Sequence, residues 1–433
     1  MPGGSKGDEM SSKIRKIGNL FLIVFAVLTI LLTGFVQLVH WSNQLLADKP
    51  YRTEAEAAAY FIERHYLLAD LSADELLRQY SSVEDMVQSL KDPYSALLDH
   101  TELDHAIEDL NGSYVGVGFE AHKMPGEYLQ ILSVENGSPA MKAGLRSGDS
   151  IIQINGEDTR DMSRDQTLSL IKGEEGTEIS LTVQRNNRTH EVYLTRSRIE
   201  SAVVQDTMLS DSVGYLSLTR FPMMIYKDLA QAIRQMQNQN MEKLILDLRG
   251  NGGGEIEEVA MIASLLLPKE ISEMFIVNHK TQDPTIYGRT QDSLFCGPIY
   301  ILVNEDTASA AELLTQILQN AGAATVIGEQ TYGKGVSQSF FYLNSGNVLK
   351  LTTGEVFAPS CRPIQNAGSF PDFQIEMDNR LVSSSFINRP QLEWTRYLEG
   401  LEPLFSEQYG KDNALGQLKS GDVQLQAALE MAG

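Results

Sequence analysis

NEDTASAAELLTQILQNAGAATVIGEQTYGKGVSQ, residues 304–338, packs a strand exit, a helix, a strand and a glycine-flanked lysine into thirty-five positions. The apolar run Pro298–Val303 feeds into it and predicts a buried strand. Leu313, Leu314, Ile317 and Leu318 then recur at helical spacing, so a helix is expected over Ala310–Asn320. A second apolar strand is expected over Ala324–Gly328. Ser309 falls where strand becomes helix, and Lys334 lies between Gly333 and Gly335. No histidine follows Ser309, so a Ser-His-Asp triad would need its base from upstream. A neutral, buried lysine amine can serve a serine as base instead.

Each piece also has a bland explanation. Ser309-x-x-Glu312 is a capping box, the usual way to start a helix. Were Ser309 the nucleophile, the helix start would help it. Free N–H groups and the positive end of the helix dipole lie there, and the Ala310 N–H is a natural donor to an oxyanion. A lysine between glycines is ordinarily a solvated loop residue, and acts as a base only if desolvation lowers its pKa. Gln338, four residues on, would sit roughly 13 Å from Lys334 along a regular strand. It can orient the amine only if the glycines bend the chain.

Working upstream, Lys243–Asp247 reads as a strand. It runs into Gly250-Asn251-Gly252-Gly253-Gly254 and then a helix over about Glu255–Leu267, stopped by Pro268. Glycines at such a junction make a tight turn, a phosphate nest or a second oxyanion donor. A GxxxxGK[ST] phosphate loop is not matched. Strands alternating with helices from Val213 onward predict βαβ units.

Between Gly112 and Arg198 the texture is strands and glycine turns. Tyr114–Phe119 (YVGVGF), Leu129–Val134, the short helix in SPAMKAGL from Ser138, GDSIIQING from Gly148, Glu178–Val183 and His190–Leu194 follow in order. This stretch resembles a PDZ domain. In such a loop Val115, Gly116, Val117, Gly118 and Phe119 offer backbone N–H groups to a peptide carboxylate, and the strand edge accepts an extended chain. A dinucleotide turn is the poorer reading, because no helix follows these glycines.

The 433-residue chain carries a formal charge of −22, which argues against nucleic acid as a partner. Ile17–Val39 is an almost unbroken apolar run behind Lys13, Arg15 and Lys16. It predicts a single-pass membrane anchor with the rest of the chain outside the cytoplasm. A cleaved signal peptide is the alternative, but its apolar region would be shorter and end in a small-x-small site. Cys296 and Cys361 are the only cysteines, so neither a disulfide framework nor a metal site is implied, and a single bridge or two free thiols both fit.

DTASAAE around Ser309, TYGKGVSQ around Lys334, and the Asp92-Pro93-Tyr94-Ser95 and Phe370-Pro371-Asp372 elements together resemble the carboxyl-terminal processing (tail-specific) peptidases. One departure is Ala358-Pro359-Ser360-Cys361-Arg362, with cysteine where the family often has glycine. The resemblance implies a ClpP/crotonase-like α/β core with a PDZ domain, active without cofactor or metal. Ser309 would be nucleophile, Lys334 general base and Gln338 its orienting partner, with the Ala310 and Gly253 N–H groups as oxyanion hole. The implied organisation is a cytoplasmic tail (1–16), an anchor (17–39), a helical region (40–110), the PDZ domain (111–198), the protease core (199–380) and a helical end (381–433). The implied partners are protein substrates held by flexible C-terminal tails, with the two helical regions as candidate homodimer contacts. A membrane-tethered PDZ scaffold with a silent core is the competing reading. A Ser-x-x-Lys hydrolase is not, since Ser309-Ala-Ala-Glu312 lacks the lysine.

Overall fold

Parallel strands covered on both faces read as unbroken apolar runs, and the strands from Val213 onward that alternate with helices behave this way. The computed structural model describes residues 51–110, 113–123, 126–135, 137–185, 188–200, 203–358, 362–382 and 421–433. The expected anchor at 17–39 and Cys361 lie outside these residues. Among the described residues no helix is long and apolar enough to cross a membrane.

The core sheet runs in sequence order: β1 (Val204–Met208), β2 (Val213–Leu218), β3 (Lys243–Asp247), β4 (Ile299–Val303), β5 (Ala324–Gly328) and β6 (Phe373–Gln374). β1 is antiparallel to β2, and every other pairing is parallel. Helices α1 (Ile225–Gln237), α2 (Ile256–Leu266) and α3 (Ala310–Asn320) connect the strands. They build the larger core with Leu216, Leu218, Leu244, Leu246, Ile301 and Val303. The alternate residues Val213, Tyr215, Ile245, Leu302 and Ile327 face the other way, onto α4 (Val423–Ala432). The late helix thus covers the second face of the sheet.

A second, antiparallel sheet carries no clear strand pattern in the sequence. Its hub is Val348–Phe357, which pairs with Val336–Tyr342 on one edge. On its other edge lie Ala96–Leu98 and, further along, Glu273–His279. The helices Glu54–His65, Ala73–Gln79 and Val83–Ser89 pack on this sheet, burying Ala58, Ile62 and Met86 against Leu349 and Leu351. The N-terminal helical region is therefore built onto the second sheet.

The glycine-and-strand region forms its own sheet, in the order Phe119–His122, Leu129–Val134, Ser150–Ile154, Glu178–Arg185, Arg188–Thr195, around a separate apolar cluster. Tyr114–Phe119 is not one strand. Ser113–Gly116 pairs with Ser197–Glu200, and the chain turns at Gly118, φ +83°, before the edge strand begins. A Cβ at Gly118 would lie 2.3 Å from the Ser138 Cβ, so glycine is required there.

Candidate active site

Two loops meet at the C-terminal ends of β3 and β4, where ligand sites of open α/β sheets lie. Asn304 and Thr307 tie them together. Asn304 Oδ1 accepts the Gly250 N–H at 2.8 Å, Thr307 Oγ1 donates to the Leu248 carbonyl at 2.9 Å, and the Ala308 N–H donates to the Asn251 carbonyl at 2.8 Å. Asn251 is wholly buried and braces the glycine loop from inside, donating from Nδ2 to the Leu218 carbonyl at 2.7 Å. A Cβ on Gly253, φ +97°, would lie 2.8 Å from the Ser309 Cβ and 3.0 Å from the Ala310 nitrogen. That close approach explains the glycine.

Ser309 has φ +58° and ψ −119°, a conformation that costs a non-glycine residue about 1–3 kcal/mol and clusters at functional sites. What holds it is Glu312. This carboxylate is fully buried. Its Oε2 accepts the N–H of Ser309 and the N–H of Lys334, each at 2.8 Å. Its Oε1 accepts the Thr331 hydroxyl at 2.5 Å and the Gly333 N–H at 2.7 Å. The capping box expected from the sequence is present through its glutamate half, and that same carboxylate carries the lysine loop. Cap and site are one device rather than alternatives.

Lys334 is half-buried. Its Nζ lies over the Tyr94 ring, 5.0 Å from the centroid. Burial holds the amine below the usual lysine range, the Lys350 charge pushes the same way, and Asp92 and Glu312 oppose both. The flanking glycines have a packing reason: a Cβ on Gly335 would meet the Gln365 nitrogen at 2.5 Å, and one on Gly333 the Ala367 nitrogen at 3.2 Å. The expectation of a solvated loop lysine therefore fails.

Gln338 is in the strand Val336–Tyr342, next to a bulge between Ser337 and Gln338. Its Nε2 reaches the Val336 carbonyl at 3.5 Å, the long limit for such a bond, and no hydrogen bond joins it to Lys334 in this state. Ala310 is the first residue of α3, so its N–H has no intrahelical acceptor. The Gly253 N–H, the other expected oxyanion donor, instead donates to Asn251 Oδ1 at 2.8 Å. Gly253 abuts Ser309 as expected, but its donor is engaged in this state.

In the loop expected to bind peptide, Val115 and Gly116 pair with Arg198 and Ser197. The Val117 carbonyl accepts the Ala140 N–H at 2.8 Å, and Phe119 opens the edge strand. Residues with no individual signal in the sequence are Tyr94 at the lysine and the Asp92, Ser95 and Thr352 cluster behind it; only the Asp92–Ser95 tetrapeptide hinted at them.

Comparison with known proteins gives the family. Residues 212–375 match the peptidase family S41 model and residues 130–185 a PDZ domain model. A carboxyl-terminal-processing protease of Synechocystis sp. is 33% identical over 72% of this chain and 74% of its own length. This chain belongs to peptidase family S41. It is a serine peptidase carrying a PDZ domain. The carboxy-terminal processing protease CtpA of Bacillus subtilis is 28% identical over 82% of this chain and 75% of its own. Among solved structures, a photosystem II D1 C-terminal processing protease superposes with TM-score 0.53 at 25% identity, covering 75% of this chain and 92% of that one. A putative S41 protease from Bacteroides fragilis has TM-score 0.56 at 18% identity, covering 80% and 96%, and so shares the fold.

Proposed function

We propose that this S41 peptidase is a membrane-anchored endopeptidase that cuts proteins presented by flexible C-terminal tails, with Ser309 as nucleophile and Lys334 as general base. The observation that carries this reading is the Glu312 Oε2 atom, bonded to the backbones of Ser309 and Lys334 at once. A strained serine at a helix start and a lysine biased toward neutrality thereby share one rigid support.

In the reaction, neutral Lys334 takes the Ser309 proton as Oγ attacks the scissile carbonyl. The oxyanion is held by the Ala310 N–H, joined by the Gly253 N–H once it exchanges its bond with Asn251. Lys334 then protonates the leaving amine, and water hydrolyses the acyl-enzyme with the lysine again as base. Gln338 steadies the amine after its side chain leaves the Val336 carbonyl, a rotation the long 3.5 Å bond opposes little. The tail carboxylate docks on the Val115–Phe119 backbone, and the peptide adds to the Phe119–His122 edge. Residues 17–39 tether the enzyme, and its catalytic part is extracytoplasmic.

An unfolded reporter with varied C-terminal residues tests this. The full chain should cleave it in a tail-dependent manner, whereas Ser309→Ala should bind the tail and leave the reporter intact. Unchanged cleavage by Ser309→Ala sinks the assignment. Tail binding without cleavage by the unmodified chain would favour the silent-scaffold reading.

A further inference from the structure

The Lys334 amine is not enclosed by its own loop alone. The Tyr94 ring lies over it at 5.0 Å, inside the roughly 6 Å reach of a cation–π contact. Tyr94 comes from the far end of the chain, and its backbone is pinned. Its N–H donates to Asp92 Oδ1 at 3.0 Å. Asp92 Oδ2 accepts the Ser95 hydroxyl at 2.6 Å and the Thr352 hydroxyl at 2.7 Å, while the Thr352 N–H donates to Ser95 Oγ at 3.1 Å. One residue beyond this knot, Ala96–Leu98 pair with Val348–Lys350. The Tyr94 hydroxyl neighbours that of Tyr332, whose own N–H is fixed to the Thr307 carbonyl at 3.0 Å, two residues before Ser309.

We propose that Tyr94 is a positioning residue for the Lys334 amine, its ring closing the amine's pocket against water from the side of the N-terminal helical region. This rests on reading Lys334 as the base and deepens that reading. The ring acts in two opposed ways. Its face favours an ammonium, and its bulk, by excluding water, favours the neutral amine. Burial is the largest influence on Lys334, ahead of Lys350, Asp92 and Glu312, the charged groups around it. Burial also heads the causes that push the Tyr94 phenol up to about 12, so the ring stays neutral wherever the enzyme works. Water exclusion is accordingly expected to outweigh the attraction of the ring face. Removing the ring hydrates the amine, tightens its hold on the proton and slows acylation at neutral pH.

The test is kcat/KM against pH for the full chain on the tail-bearing reporter, with Tyr94→Phe, Tyr94→Leu and Tyr94→Met. The Leu and Met variants should shift the rising limb upward by on the order of one pH unit and lose about tenfold at neutral pH. Tyr94→Phe should keep the wild-type limb. Folded Leu and Met variants with a wild-type limb overturn the proposal. If neither folds, the Lys334 Cε NMR titration decides between wild type and Tyr94→Phe, which keeps the ring. A depressed midpoint in both supports it, and an ordinary lysine midpoint in either overturns it. Lys334→Ala separates the two levels. A cleaving Lys334→Ala enzyme removes the base itself, whereas an inert one beside unaltered Tyr94 variants removes only the role given to Tyr94.

Discussion

Glu312, on the first turn of α3, holds the Lys334 backbone at 2.8 Å from twenty-two residues away. All four of its bonds have the carboxylate as acceptor. Glu312→Gln replaces one acceptor oxygen by a donor and leaves two N–H or O–H groups facing it. An unsatisfied buried group costs about 1–3 kcal/mol, so a loss of roughly 2–6 kcal/mol is expected in urea unfolding. Cleavage should fall further than stability accounts for, because Ser309 and Lys334 lose their common support.

The pH dependence follows from Lys334. Burial and Lys350 hold its folded-state pKa below the unfolded value. The neutral amine is the active form, so activity should rise with pH through that depressed pKa. Between the two pKa values the unfolded chain binds more protons, and stability also rises with pH. The cost of the buried charge is fully present below the folded pKa and gone above the unfolded one. Lys334→Met should remove this part of the stability-pH slope while abolishing cleavage. An unaltered slope in urea titrations at several pH values would contradict the argument.

Gly253→Ala puts a methyl group 2.8 Å from the Ser309 Cβ at φ +97°. The fold should survive, since the strain is local to one loop. We expect kcat to fall by on the order of a hundredfold, the size seen when oxyanion donors are displaced, with KM little changed. Steady-state kinetics on the reporter, with a melting curve as control, checks this.

Arg249 offers a fourth lever. It is fully buried between Asp247 and Asp422, with Arg249 Nη1 to Asp422 Oδ1 at 2.7 Å and Arg249 Nη2 to Asp247 Oδ2 at 2.6 Å. Burial alone would lower its pKa, but the two carboxylates outweigh that and hold it well above its ordinary value. Asp422→Ala leaves Arg249 paired with Asp247 but removes two charge-assisted hydrogen bonds, each worth about 1.5–3 kcal/mol, so a cost of about 3–6 kcal/mol is expected. It should also reduce cleavage, because Arg249 leads directly into the 250–254 loop. Chemical denaturation and activity at matched folded fractions separate the two effects.

Much of this was readable from residues alone. The βαβ strands and α3 announced themselves because burial on two faces demands continuous apolar runs. Ser309, Lys334 and the glycine loop stood out because chemistry and close approach restrict which residues fit. The antiparallel sheet did not, since strands such as Val336–Tyr342 are only partly buried and mix polar with apolar residues. Tyr94 was hidden for a different reason. Its contact with Lys334 is made across the chain and leaves no local periodicity. Glu312 was visible only as a cap because spacing shows i to i+3 partners and not a loop twenty residues on.

The bond between Arg249 and Asp422 spans 173 residues. During synthesis the strands, the glycine loop and Ser309 all emerge long before residue 422. Until α4 arrives, the sheet residues it covers lack that cover, and Arg249 is paired with Asp247 without Asp422. A contact closed over so long a loop forms late. The helix that secures Arg249 thus joins the sheet after Ser309 and the glycine loop have been made, and cleavage by a growing chain is expected only once Val423–Ala432 has docked.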